Sequence, residues 1–159
     1  MFELEFGCGE TPTRKGCKTV DIRDLPGVDY VCNAWEIDSL VEPDTVDYIY
    51  SRHFFEHLTF AQGRKTLAAW KTILKPTGTI EMIVPNILLH ISQWLSKSNL
   101  SRAKEGFWGK QREGETEMWD VHKSGYDKET LLYLLLEEGF TNVHFPETLP
   151  KNVRAIFHK

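Results

Sequence analysis

"FELEFGCGE", residues 2–10, sets an alternating apolar run against two glycines placed one residue apart. Phe2, Leu4 and Phe6 share the period of a strand, and the run stops at Gly7-Cys8-Gly9. Two glycines directly after a strand serve either a tight turn or the close approach of a ligand to backbone. The stretches that follow decide between the two. "CKTVDI" (17–22), "VDYVCN" (28–33), "TVDYIYS" (45–51) and "TIEMIVP" (79–85) predict further strands. Pro26-Gly27, Pro43-Asp44 and Pro76-Thr77-Gly78 punctuate them. Between the fourth and fifth strands, Thr59 and Gln62 have capping-box spacing. Phe60, Leu67, Trp70 and Leu74 then fall on one helical face, with Pro76 as the stop. A second helix starts at Asp127, with Tyr126 and Leu131 placed as a hydrophobic staple and Gly139 closing it. "TNVHF" (141–145) and "VRAIF" (153–157) predict a hairpin-like ending. Strands alternating with helices imply an α/β layered fold with a mostly parallel sheet and an antiparallel last strand.

The 159 residues, 41% hydrophobic and 26% charged, suit one globular domain. A formal net charge of −4 opposes a nucleic-acid partner. No apolar stretch approaches the about 20 residues of a membrane span, and no basic-then-apolar leader is visible. Cys8, Cys17 and Cys32 show no CxxC spacing and cannot all pair, so reduced thiols in a cytoplasmic protein are expected. Cys8 reads as a small buried filler.

Ligands of such sheets bind at the carboxyl ends of the strands, where Gly7, Gly9, Asp21, Asn33 and Ser51 fall. A dinucleotide loop would read G-x-G-x-x-G. Here "GCGETP" lacks the third glycine, Pro12 removes an N–H, and Glu10 opposes a pyrophosphate. No P-loop lysine follows any glycine-rich turn. S-adenosylmethionine fits better, because it has no phosphate and carries a sulfonium cation. Its amino-acid tail can lie along the Gly7–Gly9 backbone. Asp21 can accept from both ribose hydroxyls, Asn33 can meet the adenine amine, and Trp35 can form an apolar wall.

Taken in order, "LEFGCG", "VDI", "NAWEI", "VDYIYSRHFFEHLT" and "LKPTGTIEMIVPN" resemble the motif series of a class I S-adenosylmethionine-dependent methyltransferase. The likeness is to small bacterial predicted methyltransferases associated with glycan and polysaccharide genes. It implies a Rossmann-like sheet. It also implies cofactor contacts from Gly7, Gly9, Asp21, Asn33, Ala34 and Ser51. Two departures stand out. Asn33 occupies a position where the family usually has an aspartate. Gly9 to Thr19 leaves little room for a first crossover helix, since a parallel crossover normally takes about a dozen or more residues. With no covering N-terminal helix either, the site is expected to be open on one side, or closed by a homodimer.

"SRHFFEHL" concentrates Arg52, His53, Glu56 and His57 after the fourth strand. His53 and His57 have H-x-x-x-H spacing. The zincin pattern H-E-x-x-H is absent, and no third ligand is legible, so no metal is expected; Glu56 or His57 tying loops to the backbone is the first reading of the cluster, and a part in the substrate pocket the second. Residues 98–125 show no helical or strand period, yet hold Phe107, Trp108, Trp119 and His122, and so predict a lid over the substrate. Within the resemblance, "FWGKQ" and "HKSGY" stand near the acceptor, and Arg52, Trp108, Gln111 and Tyr126 are substrate-binding candidates. His122 or His53 is the expected general base for a hydroxyl acceptor, glycan-like or small. The segment is basic first (Lys97, Arg102, Lys104, Lys110, Arg112) and acidic after (Glu113, Glu115, Glu117, Asp120), which reads first as a solvated bipolar loop and in the alternative as a basic lip for an anionic acceptor. The other class of answer is a non-catalytic module that retains the fold and binds the cofactor or a partner protein.

Overall fold

A computed structural model describes residues 1–112, 118–146 and 150–159. Its strands are β1 (Glu3–Phe6), β2 (Lys18–Asp21), β3 (Tyr30–Val31), β4 (Val46–Arg52), β5 (Leu74–Pro85), β6 (Thr141–His144) and β7 (Asn152–His158). Its helices are α1 (Phe60–Ile73), α2 (Ile87–Ser96), α3 (Leu100–Trp108) and α4 (Lys128–Glu137), with short 3-10 helices at Ala34–Ser39 and Phe55–His57. The strands form one sheet in the order β3-β2-β1-β4-β5-β7-β6. β1 to β5 pair in parallel, and β7 runs antiparallel to both β5 and β6. The order reverses at β1, which pairs β2 on one side and β4 on the other. That switch point is where such sheets open a crevice.

The two faces of the sheet differ sharply. Leu4, Phe6, Val20, Ile49, Ile80, Met82, Ala155 and Phe157 are all buried on one face. They form a single core with Ile37, with Leu67, Trp70 and Ile73 of α1, and with Leu131 and Leu135 of α4. The Trp70 ring lies 4.8 Å from that of Phe6. Each such large side chain contributes on the order of 1.5–3 kcal/mol when fully buried. The opposite face carries Glu5, Tyr48, Tyr50, Glu81 and Arg154. The β1–β2 link holds no helix, as the short Gly9–Thr19 spacing implies. It lies over this polar face instead. Thr13 donates to Glu5 from its amide and hydroxyl at 2.8 and 2.7 Å, and the Arg14 amide does so at 2.9 Å. The Arg14 guanidinium covers the rings of Tyr48 and Tyr50 at 4.7 and 4.6 Å and meets Glu81 at 3.3 Å. Arg154 reaches Glu81 from β7 at 2.8 Å.

The local signals were obeyed where they were strongest. Thr59 and Gln62 form a reciprocal capping box on α1, and Asp127 caps α4 together with Thr130. Three expectations need correction. The strand at 28–33 contracts to Tyr30–Val31, which pairs only with β2 at the sheet edge. α1 ends at Ile73, and Pro76 lies inside β5, where the β4–β5 register shifts between Val46 and Tyr48. Residues 98–125 are not without helix. Asn99 accepts from the Arg102 amide at 3.0 Å and starts α3, whose buried residues are the small Ala103 and Gly106. Leu100, Ala103 and Phe107 do fall at helical spacing, so a short apolar stripe was present in the sequence and went unread. The helix is held by α2, where Trp94 meets Phe107 and Trp108 edge-on at 6.0 and 5.7 Å.

Candidate functional site

A cleft of about 340 Å³ opens beside the ends of β1, β2 and β4. Gly7 lines it at φ +67°, a conformation that side chains resist. A Cβ on Gly7 would also stand 2.5 Å from the Phe54 ring. Gly9, at φ +58°, turns its amide onto Asp21 Oδ2 at 2.9 Å. Asp21 is only 6% exposed at the end of β2. The Arg23 amide and Nε donate to its Oδ1 at 3.0 and 3.1 Å. Burial pushes the Asp21 carboxyl up, but the bonds from Arg23 and Gly9 outweigh it and hold the acid below its ordinary range. Asn33 Nδ2 donates to Glu36 at 3.0 Å, so the amide oxygen is the side-chain atom left to accept in the cleft. Ala34 and Trp35 line the same wall.

A second cleft of about 520 Å³ shares His53, His57 and Asp120 with the first. His53 follows β4 at φ +50°, pinned by its amide on Ile83 O at 2.9 Å. Glu56, His57, His90 and His122 converge here, with Arg102 and Lys110 beside them. His122 Nδ1 lies 2.9 Å from Gly106 O, and His57 Nδ1 lies 3.1 Å from Val121 O. Burial pushes the His122 and His90 imidazoles down from their ordinary values, which favours their neutral forms. Gly106 permits this packing, since a Cβ there would stand 2.1 Å from the His90 ring.

No protein-family model and no curated protein matches the chain. Solved structures do match. A SAM-dependent methyltransferase from Archaeoglobus fulgidus aligns with a TM-score of 0.64 at 15% identity, over 99% of this chain and 85% of its own. One from Methanosarcina mazei aligns at 0.64 and 16%, over 99% and 91%. The 1,6-didemethyltoxoflavin-N1-methyltransferase of Burkholderia thailandensis, solved with S-adenosylhomocysteine, aligns at 0.67 and 14%, over 99% and 70%. This is the class I methyltransferase fold. At such identities the likeness extends to the fold alone.

Within this methyltransferase fold, Gly7, Asp21, Asn33, Ala34 and His53 line the first cleft together, and Gly9 reaches it through its bond to Asp21. Ser51 is fully buried and lines neither cleft. His122 and His53 meet in the second cleft. The four substrate-binding candidates line neither. Arg52 and Gln111 are exposed, Trp108 packs on Trp94 and Phe107, and Tyr126 is buried against Phe55 at 5.5 Å. Arg23 went unassigned in the sequence. Arg23 stands two positions after Asp21, on the same side of an extended chain, and that spacing was the available signal. Of residues 98–125, Trp119, Asp120 and Lys123 line the first cleft, and 113–117 lie outside the described residues. No helix among the described residues is long and apolar enough to cross a membrane.

Proposed function

We propose that the chain binds S-adenosylmethionine in the first cleft and transfers its methyl group to an acceptor in the second. The observation that carries this reading is the continuity of the two clefts through His53, His57 and Asp120 at the switch point of a methyltransferase fold. Gly7 and Gly9 border the methionine part, Asp21 receives the ribose hydroxyls, and Asn33 and Ala34 meet the adenine. The cofactor supplies a methyl group already made electrophilic by its sulfonium. The chain has then to align the acceptor and take its proton. His122 suits the second task. A carbonyl can only accept, so the Gly106 contact keeps the proton on Nδ1 and leaves a lone pair on Nε2. His53 borders both clefts and is the alternative base.

The acceptor is a hydroxyl of a small or glycan-like molecule. Arg102, Lys110 and Lys151 border its cleft together with Glu56, Glu105 and Asp120, so the lining offers both signs of charge to the acceptor. A cytoplasmic location agrees with three free cysteines whose thiols burial pushes up to about 11. A homodimer that covers the open side of the first cleft belongs to the same reading, and light scattering checks it. A non-catalytic module that retains the fold is the second reading, favoured by Arg23 occupying the carboxylate meant for ribose. Calorimetry with S-adenosylmethionine and S-adenosylhomocysteine tests the proposal. Saturable binding of both is expected, and binding of neither overturns it. His122→Ala leaves cofactor affinity nearly unchanged while lowering transfer by about 10²–10⁴-fold.

A further inference from the structure

We infer that Glu56, His57 and His122 form a site for a divalent first-row transition ion, zinc foremost, in the wall of the second cleft. One ligand atom from each lies within 4.8 Å of the others. Ligands at about 2.0–2.2 Å from a tetrahedral zinc stand about 3.3–3.6 Å apart, so side-chain rotations close the remaining gap. Both imidazoles are already set for the task. The Nδ1 atoms of His57 and His122 face the carbonyls of Val121 and Gly106, which fixes the proton on Nδ1 and presents both Nε2 lone pairs. A backbone carbonyl behind each ring is the usual support of a metal-bound histidine.

Glu56 supplies the independent observation. It is 2% exposed, and neither carboxylate oxygen receives a hydrogen bond among the described residues. His53 Nδ1 stands 3.4 Å from Oε1. A buried carboxylate that accepts no hydrogen bond is costly, and a cation at this position compensates it. The backbone braces the set as well. Glu56 O accepts from the Lys123 and Ser124 amides at 2.8 and 3.1 Å, tying the segment that carries His122 to the 3-10 helix that carries Glu56 and His57. Two imidazoles and one carboxylate suit zinc, iron, cobalt or nickel, whereas magnesium and calcium take oxygen ligands. Three protein ligands leave coordination positions open to the cleft.

This inference rests on the methyl-transfer reading for its consequence. The ion holds the acceptor hydroxyl and lowers its pKa. The proton leaves to solvent, the oxygen bonds to the methyl carbon, and the sulfur keeps the electron pair of the broken C–S bond. His122 Nε2 is then a ligand, and its role as base belongs to the ion-free chain.

The test uses tag-free protein stripped with a chelator and titrated with Co²⁺, then with Zn²⁺. One Co²⁺ per chain with visible d–d absorption is expected, displaced by Zn²⁺ and not by Mg²⁺. Glu56→Gln and His122→Ala each weaken Zn²⁺ binding by about tenfold or more, while His144→Ala on β6 leaves it unchanged. Circular dichroism checks that the variants fold, and the cobalt spectrum of the unaltered chain stands without them. Absence of a saturable Co²⁺ site, or unchanged affinity in both folded variants, overturns the inference. S-adenosylhomocysteine calorimetry on the same samples separates the readings. Cobalt bound without the nucleoside sinks methyl transfer alone, and the nucleoside bound without cobalt sinks the metal site alone.

Discussion

Arg23 holds Asp21 from two sides. Its amide and Nε donate to Oδ1 at 3.0 and 3.1 Å, and Nη2 reaches Oδ2 at 3.4 Å, the oxygen that also accepts from Gly9. The carboxylate proposed to receive ribose is therefore already engaged. A diol entering the cleft has to displace the guanidinium or share its lone pairs.

Arg23→Ala accordingly tightens S-adenosylhomocysteine binding several-fold, read by calorimetry. Asp21→Ala weakens it by tenfold or more, since hydrogen bonds to a charged group contribute about 1.5–3 kcal/mol each and about 1.4 kcal/mol is one decade. Weaker binding in Arg23→Ala shows instead that Arg23 touches the ligand itself.

Asp21 also gives the chain an acid-sensitive component of stability. Its folded pKa is held below the free value of about 3.9, so the stabilisation is complete above that value and is lost as pH falls through the folded pKa. Urea midpoints between about pH 6 and pH 3 therefore fall more steeply for the parent than for Asp21→Asn, which has no such proton to bind. Parallel acid limbs overturn the assignment.

Gly7→Ala combines a positive φ with a Cβ 2.5 Å from the Phe54 ring. Strain and clash together cost about 2 kcal/mol or more, and a chain of this size loses about 2–4 °C per kcal/mol. A drop in Tm of about 5 °C or more is expected. Adding Phe54→Ala relieves the clash and not the φ strain, so the double variant is more stable than the two single losses sum to. Strict additivity contradicts this account of the turn.

We propose that residues 98–125 close over bound ligand, and this makes a proteolytic prediction. Lys110 and Arg112 are exposed, beside Gly109 at φ +71°. Trypsin is expected to cut there first, and S-adenosylhomocysteine to slow the cut, because Trp119 and Asp120 line the cleft that the ligand would fill. A rate indifferent to ligand contradicts closure.

Much of this protein was legible locally. The alternation in "FELEF" and "TIEMIVP", the Thr59–Gln62 box and the Asp127 cap involve residues within a few positions of one another, so sequence alone determined those elements and the α/β class. It also placed Gly7, Asp21, Asn33 and Ala34 at strand ends, where the first cleft opens. Tertiary structure alone decided the rest. α3 left a short signal in Leu100, Ala103 and Phe107 at helical spacing, but what it packs against, Trp94 of α2, was a tertiary matter. The motif in "SRHFFEHL" suggested His53 with His57, but the left-handed turn at His53 and the 3-10 geometry after it bring Glu56 forward instead. His57 meets the His122 segment through Val121, 64 positions away. Periodicity and capping act between neighbours along the chain, whereas the convergence of Glu56, His57 and His122 depends on how distant segments pack, which no local pattern encodes.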